Sequence, residues 1–224
     1  MGVRGAGAPA AGAKRATRHG GPGRRAAVLL PALCTALVVL AAGCRSAAPP
    51  AYAERVAAAR ADKDRFFFEG PDSPIPSDRR PEFLPLAYFP ILERYAVPAV
   101  LAPSEREPAM EMPTSTGLRR LMRRAGTLRF SLDGEPLQLT AFVEADAPNM
   151  NRLFVPFGDR TNGTETYAAG RYLDLDRTAT GIYEIDFNRA YHPYCYYNPT
   201  YDCPYPPPEN RLKVAIRVGE RMKN

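Results

Sequence analysis

Thr127-Leu128-Arg129-Phe130-Ser131-Leu132-Asp133-Gly134-Glu135-Pro136-Leu137-Gln138-Leu139-Thr140-Ala141-Phe142-Val143 decides the fold class. Leu128, Phe130 and Leu132 alternate with Arg129 and Ser131, and Leu137, Leu139, Ala141 and Val143 resume the alternation after Asp133-Gly134. Strand side chains repeat every two residues, and Asp-Gly suits a tight turn, so the stretch predicts a β-hairpin with one buried face. Residues 118–123 read as a strand leading into it. Further strands are expected at 152–155, 171–175, 182–187 and 213–218, the last from alternating Val214, Ile216 and Val218. There is no βαβ rhythm, which disfavours a doubly wound sheet. The expectation is a mainly β (α+β) domain, an antiparallel barrel or sandwich with one N-terminal helix.

That helix is expected over residues 51–69. Tyr52, Val56, Ala59 and Phe66 fall near one face, Lys63 interrupts the stripe, and Gly70-Pro71 stops it with a left-handed glycine cap. Phe66, Phe67 and Phe68 read as a core plug or as the seat of the helix on a sheet. Prolines are dense from 71 to 113 and exclude long helices there, leaving short edge strands at 86–89 and 95–101.

Further out lies a leader. Arg4, Lys14, Arg15, Arg18, Arg24 and Arg25 precede an apolar run from Ala26 to Ala42, and Leu40-Ala41-Ala42-Gly43-Cys44 closes it. Basic region, apolar run and small residues are the order of a secretory signal. The run is short and Ala-rich for a span, which takes about 20 apolar residues. Its ending resembles a bacterial lipobox, in which Cys44 becomes the lipid-carrying N-terminus; an ordinary signal peptide or an uncleaved anchor are the alternatives. The expected organisation is a signal peptide over 1–43, a tether over 44–50 and one domain over 51–224. It would be lipid-anchored on the extracytoplasmic face of a bacterial membrane. Six of the 30 basic residues lie in the leader, leaving 24 against 24 acidic ones. A neutral chain with no basic–aromatic stripe argues against nucleic-acid binding.

Two polar stretches stand out, Phe154–Tyr172 and Asp186–Asn210. The pieces Phe-Val-Pro-Phe at 154–157, Glu-Thr-Tyr at 165–167, Gly-Arg-Tyr-Leu-Asp-Leu at 170–175 and Asp-Phe-Asn-Arg-Ala-Tyr at 186–191 are long and specific. With Pro-Tyr-Cys at 193–195 and the Cys-Pro…Pro-Pro-x-Glu-Asn run at 203–210, they resemble an uncharacterised bacterial family, the domain of unknown function numbered 1684. The resemblance spans nearly the whole domain. It implies a β-rich fold and carries no assigned reaction.

The residues themselves limit the chemistry. His192 is the histidine left after the leader, and none of Ser73, Ser77, Ser104, Ser115 and Ser131 sits in a Gly-x-Ser-x-Gly elbow. Cys195 and Cys203 read as a disulfide in an oxidising compartment. A zinc site with His192, Asp202 or Glu209 is the weaker alternative, since the spacing is not Cys-x-x-Cys. No metal and no cofactor are therefore expected. Asp159, Glu165, Arg171, Asn188, Arg189 and Glu209, among many tyrosines, read as the groups binding a polar small molecule or an envelope glycan. A hydrolase with Glu165 or Asp159 as general base is the second reading, and a structural or interaction module of the envelope is the third.

Overall fold

The structure is a computed structural model and describes residues 51–105, 108–146 and 151–223. The leader, Cys34, Cys44 and the tether lie outside these residues. Among the described residues, an 18-residue helix α1 (Tyr52–Glu69) and two four-residue helices, α2 (Arg80–Phe83) and α3 (Tyr194–Tyr197), accompany seven strands. The strands are β1 (Ala96–Pro103), β2 (Met110–Pro113), β3 (Arg119–Leu132), β4 (Glu135–Glu144), β5 (Arg152–Phe157), β6 (Arg171–Asp176) and β7 (Ile182–Asp186). Every pairing is antiparallel, in the order β6-β5-β4-β3-β1-β7, with β2 beside β3. The end strands β6 and β7 approach each other, so the sheet is a nearly closed barrel.

The hairpin is β3–β4, in register from Leu132↔Glu135 to Met122↔Glu144. Asp133 (φ 50°) and Gly134 (φ 84°) are both left-handed, as a two-residue primed turn demands. The expected strand at 118–123 is the first half of β3, which bends at an irregularity between Arg124 and Gly126. Inward residues Leu128, Phe130, Leu132, Leu139, Ala141 and Val143 meet Leu153, Val155, Phe157, Leu173, Ile185 and Phe187 in the barrel core.

Several expectations are corrected. Residues 95–101 do not form an edge strand, because β1 lies between β3 and β7. Pro98 is tolerated there since pairing with β3 begins only at Ala99. Residues 86–89 form no strand and contribute a single bridge, Tyr88↔Glu220. Residues 213–218 are not a strand either. Besides one main-chain bond from the Arg160 N–H to the Val214 carbonyl, their backbone is held by side chains: Asp159 accepts from the Ile216 N–H, and Arg171 donates to the carbonyls of Ile216 and Val218. The alternation of Ile216 and Val218 reflects burial, which a side-chain scaffold satisfies as well as a ladder does.

Helix α1 runs as expected, but Gly70 is extended (φ −64°) rather than left-handed. Of the three phenylalanines only Phe67 is buried, against Ile75, Phe83, Leu86 and Tyr197. Lys63 is the larger surprise. It does not interrupt the docking face but anchors it, reaching Glu220 at 2.5 Å. Arg60 adds a bond to the Phe89 carbonyl, Tyr52 one to Asp186, and Asp64 accepts from the Leu86 N–H. No helix among the described residues is long and apolar enough to cross a membrane.

Candidate functional site

The six polar residues singled out in the sequence do not converge. Asp159 and Arg171 meet at 2.9 Å with both side chains fully buried. Asp159 also accepts from the Thr161 N–H and hydroxyl, and Arg171 also bonds the Glu220 carbonyl. Asn188 is buried and ties Tyr52, Asp186 and Leu92 together. Arg189 pairs with Asp186 beside a groove of about 500 Å³ between β6 and β7. Glu165 pairs with Arg217 at the surface, and Glu209 with Arg124. These residues hold loops and the C-terminal segment in place. Asp159 has no oxygen free of strong donors, so it is not placed to act as a base.

A cleft of about 790 Å³ lies elsewhere, and only part of the second polar stretch reaches it. One wall is the end of α1, with Lys63, Phe66 and Phe67. The floor is Met122, Val143, Phe154 and Tyr172 from β3 to β6. The opposite wall is the 191–204 loop, bringing Tyr191, Tyr194, Tyr201 and Cys203. The rings brace one another edge to face: Phe154 with Tyr172 at 4.7 Å, Tyr172 with Tyr191 at 5.8 Å, and Tyr194 with Tyr201 at 5.2 Å. Such contacts fix ring planes before any ligand arrives. The Tyr172 hydroxyl is spent on the Pro204 carbonyl, and the Tyr191 hydroxyl donates to Asp174 at 2.8 Å.

Charges of both signs ring the mouth. Arg120 bonds Glu144 at 3.1 Å and reaches both the carbonyl and the carboxylate of Asp202. Hydrogen bonds from Thr114 and Thr116, with Arg120 behind them, hold the Asp202 carboxyl below its ordinary pKa. Lys63 lies over the rings of Tyr191 (4.8 Å) and Phe67 (5.0 Å), its amine turned to Glu220. Behind it, buried Glu220 also accepts from the His192 N–H and the Tyr197 hydroxyl. Burial pushes the His192 imidazole from 6.5 down to about 4, and its Nε2 accepts from the Tyr167 N–H. His192 is a neutral strut.

The expected disulfide is not formed in this structure: Cys195 and Cys203 are buried free thiols, with the Cys195 N–H donating to Cys203 Sγ at 3.2 Å. Among the described residues no group of three or more His, Cys, Asp and Glu is placed to hold a metal.

The sequence pointed to the tyrosines collectively but missed Lys63, Arg120, Glu144, Arg152 and Asp174. Lys63 falls on the buried stripe of a helix, which is a legible signal. The others are outward residues of strands, like any solvated face.

Curated proteins give no match to this sequence. Among solved structures, the chain is similar to an uncharacterized protein of Haloarcula marismortui determined by solution NMR. The identity is 38%, over 75% of this chain and 93% of that one, with a TM-score of 0.59. The match takes in the greater part of both chains but brings no activity with it. Over residues 81–221, which take in all seven strands and the 191–204 loop, the sequence matches the family described as "Protein of unknown function (DUF1684)", and the chain belongs to that family.

Proposed function

We propose that the protein binds a polar small molecule with an apolar face, an envelope glycan being the favoured class, in the cleft between α1, β3–β6 and the 191–204 loop. The observation that carries this is the wall of Tyr191, Tyr194 and Tyr201 over a floor with Tyr172, beneath a rim of Lys63, Arg120, Arg152, Glu144, Asp174 and Asp202. Pockets of roughly 300–1,000 Å³ with aromatic walls and a few oriented polar groups are where small ligands bind. A sugar ring offers a C–H face to a tyrosine and hydroxyls to paired charges. Both signs of charge at the rim suit a neutral or zwitterionic ligand better than a polyanion. The leader supports placing this binding at the membrane surface, with the domain held by a lipid on Cys44.

The test is titration of the protein with soluble envelope oligosaccharides, followed by amide chemical shifts. Shifts at the 191–204 loop and at Lys63 are expected. Tyr201→Ala should weaken binding by about tenfold or more, equivalent to roughly 1.4 kcal/mol. Shifts spread away from the cleft, or none with any saccharide, would remove this reading.

A further inference from the structure

Cys195 and Cys203 take no part in the reading above. Cys195 lies in α3, and Cys203 closes the loop that follows, with its sulfur facing the Cys195 N–H. The loop holds itself without a covalent link. The Tyr201 N–H donates to the Asn198 carbonyl at 3.1 Å, and the Thr200 hydroxyl donates to Asn198 Oδ1 at 2.8 Å. Ser115 accepts from the Cys203 N–H at 3.0 Å while donating to the Tyr201 carbonyl at 2.9 Å. Cross-linking so short a loop would add stability toward the low end of what a disulfide contributes on the chain-entropy model. A permanent staple is not what the fold lacks at this place.

The placement of the two sulfurs is more informative. Cys203 belongs to the lining of the cleft, beside Tyr201, Asp202 and Tyr172. Cys195 is packed with it and with Tyr172, and the Tyr167 hydroxyl lies 4.0 Å from its sulfur. One thiol on the wall of an open cleft, with a second in contact behind it, is the arrangement of an attacking and a resolving thiol. Cys195 also releases its proton more readily than a lone thiol, because the Cys203 S–H donates to its thiolate. The Cys203 proton is correspondingly held.

We propose that Cys195 and Cys203 form a reversible thiol–disulfide exchange site that admits low-molecular-weight disulfides through the cleft. The Cys203 thiol, passing its proton to the Cys195 thiolate, attacks one sulfur of the disulfide RSSR. The S–S bond breaks, RS⁻ leaves and takes up from solvent the proton that Cys195 first released, and Cys203 carries a mixed disulfide. Cys195 then gives up the proton received from Cys203 and attacks the Cys203 sulfur as thiolate, and the second RS⁻ departs with that proton. Two protein thiols are thereby oxidised to one disulfide, and RSSR is reduced to two RSH. Excess RSH drives the same steps backward. The new bond ties α3 to the end of its loop and fixes the wall that carries Tyr194 and Tyr201.

The experiment incubates the reduced full chain with oxidised glutathione, then unfolds it in acid, alkylates it and maps the peptides, so that Cys34 and Cys44 are read separately. The peptide spanning Cys195 and Cys203 should lose both alkylation sites together, lack two hydrogens and carry no glutathione. Reduced glutathione added to the folded protein should restore both sites. In Cys195→Ser, with its fold checked by circular dichroism, glutathione should stay attached to Cys203. Thiols that remain alkylatable in the folded chain, while the denatured chain reacts, would overturn the proposal. So would a bond that forms but resists reductant until the protein is unfolded. The wild-type measurement decides alone if the serine variant does not fold. No saccharide enters the assay, so its failure is distinct from a failure of the cleft to bind a glycan.

Discussion

Arg171 on β6 and Asp159 after β5 form an ion pair at 2.9 Å with no solvent exposure on either side chain. The two terminal nitrogens of the guanidinium also donate to the carbonyls of Ile216, Val218 and Glu220, while Nε is buried without a partner, so one side chain replaces a strand partner for the 216–220 segment. Burying a pair is costly, and removing one member is costlier, because the other is left as an uncompensated charge. Arg171→Met should destabilise the domain by about 3–5 kcal/mol, read from the midpoint of denaturant unfolding. A loss below about 1 kcal/mol, the scale of an exposed pair, would contradict the role assigned to it.

Asn210 does comparable work between β4 and β5. Those strands share one register pair, Phe142↔Phe154. Where the ladder stops, Asn210 donates to the carbonyls of Thr140 (2.8 Å) and Pro156 (2.7 Å) and accepts from the Thr140 N–H (2.7 Å). Asn210→Ala leaves three buried backbone groups without partners, each costing about 1–3 kcal/mol if water cannot reach it. Amide hydrogen exchange should show Thr140 losing its protection first; unchanged protection there would refute the bridging role.

Acid should weaken the fold in two stages. Burial works to raise the Glu220 carboxyl pKa, but the Lys63 amine, His192 and their hydrogen bonds hold it below the ordinary 4.5. Burial takes His192 from 6.5 to about 4, and Arg171 and Lys63 add to that fall. The unfolded chain therefore binds both protons more readily than the folded one, and stability drains as pH falls. The His192 contribution is complete above 6.5 and lost progressively toward 4, on the order of 3 kcal/mol at about 1.4 per pKa unit. The Glu220 contribution is complete above 4.5 and goes as pH drops through its lower folded value. Unfolding midpoints of His192→Gln across this range should lose the upper arm of the decline and keep the lower. Retention of the full upper arm would assign it to other groups.

Gly170 has φ +100°, and a Cβ there would lie 2.5 Å from the Phe157 carbonyl oxygen and 2.8 Å from Pro206. Gly170→Ala is expected to cost at least the roughly 1–3 kcal/mol of a strained backbone, with the barrel intact by circular dichroism. A thermal midpoint equal to that of the parent chain would show that the strand end can shift.

The β3–β4 hairpin was legible because period-two burial and an Asp-Gly turn agree on one answer. Most other strands could be placed to within a few residues for the same reason, but 86–89 and 213–218 form none and β2 was not foreseen. The 213–218 segment alternates like a strand, yet its partners are Arg171 and Asp159, far away in sequence. The candidate site was harder to read. Asp159, Arg171 and Asn188 look like ligand-binding groups because buried polar side chains that fasten backbone have the same composition as those that fasten substrates. The cleft gathers Lys63, Arg120, Phe154 and Tyr201 from four distant parts of the chain, and no local spacing reports such a meeting.

The reliance on Asn210, the 216–220 carbonyls and Glu220 also sets an order in time. During synthesis these residues appear only after every strand has been made. Until they arrive, Arg171, Asp159 and the gap between β4 and β5 hold open polar groups inside an otherwise apolar barrel. The barrel is thus fastened by a segment that follows its last strand, and a chain lacking residues 213–223 loses much of the fastening that makes its interior dry.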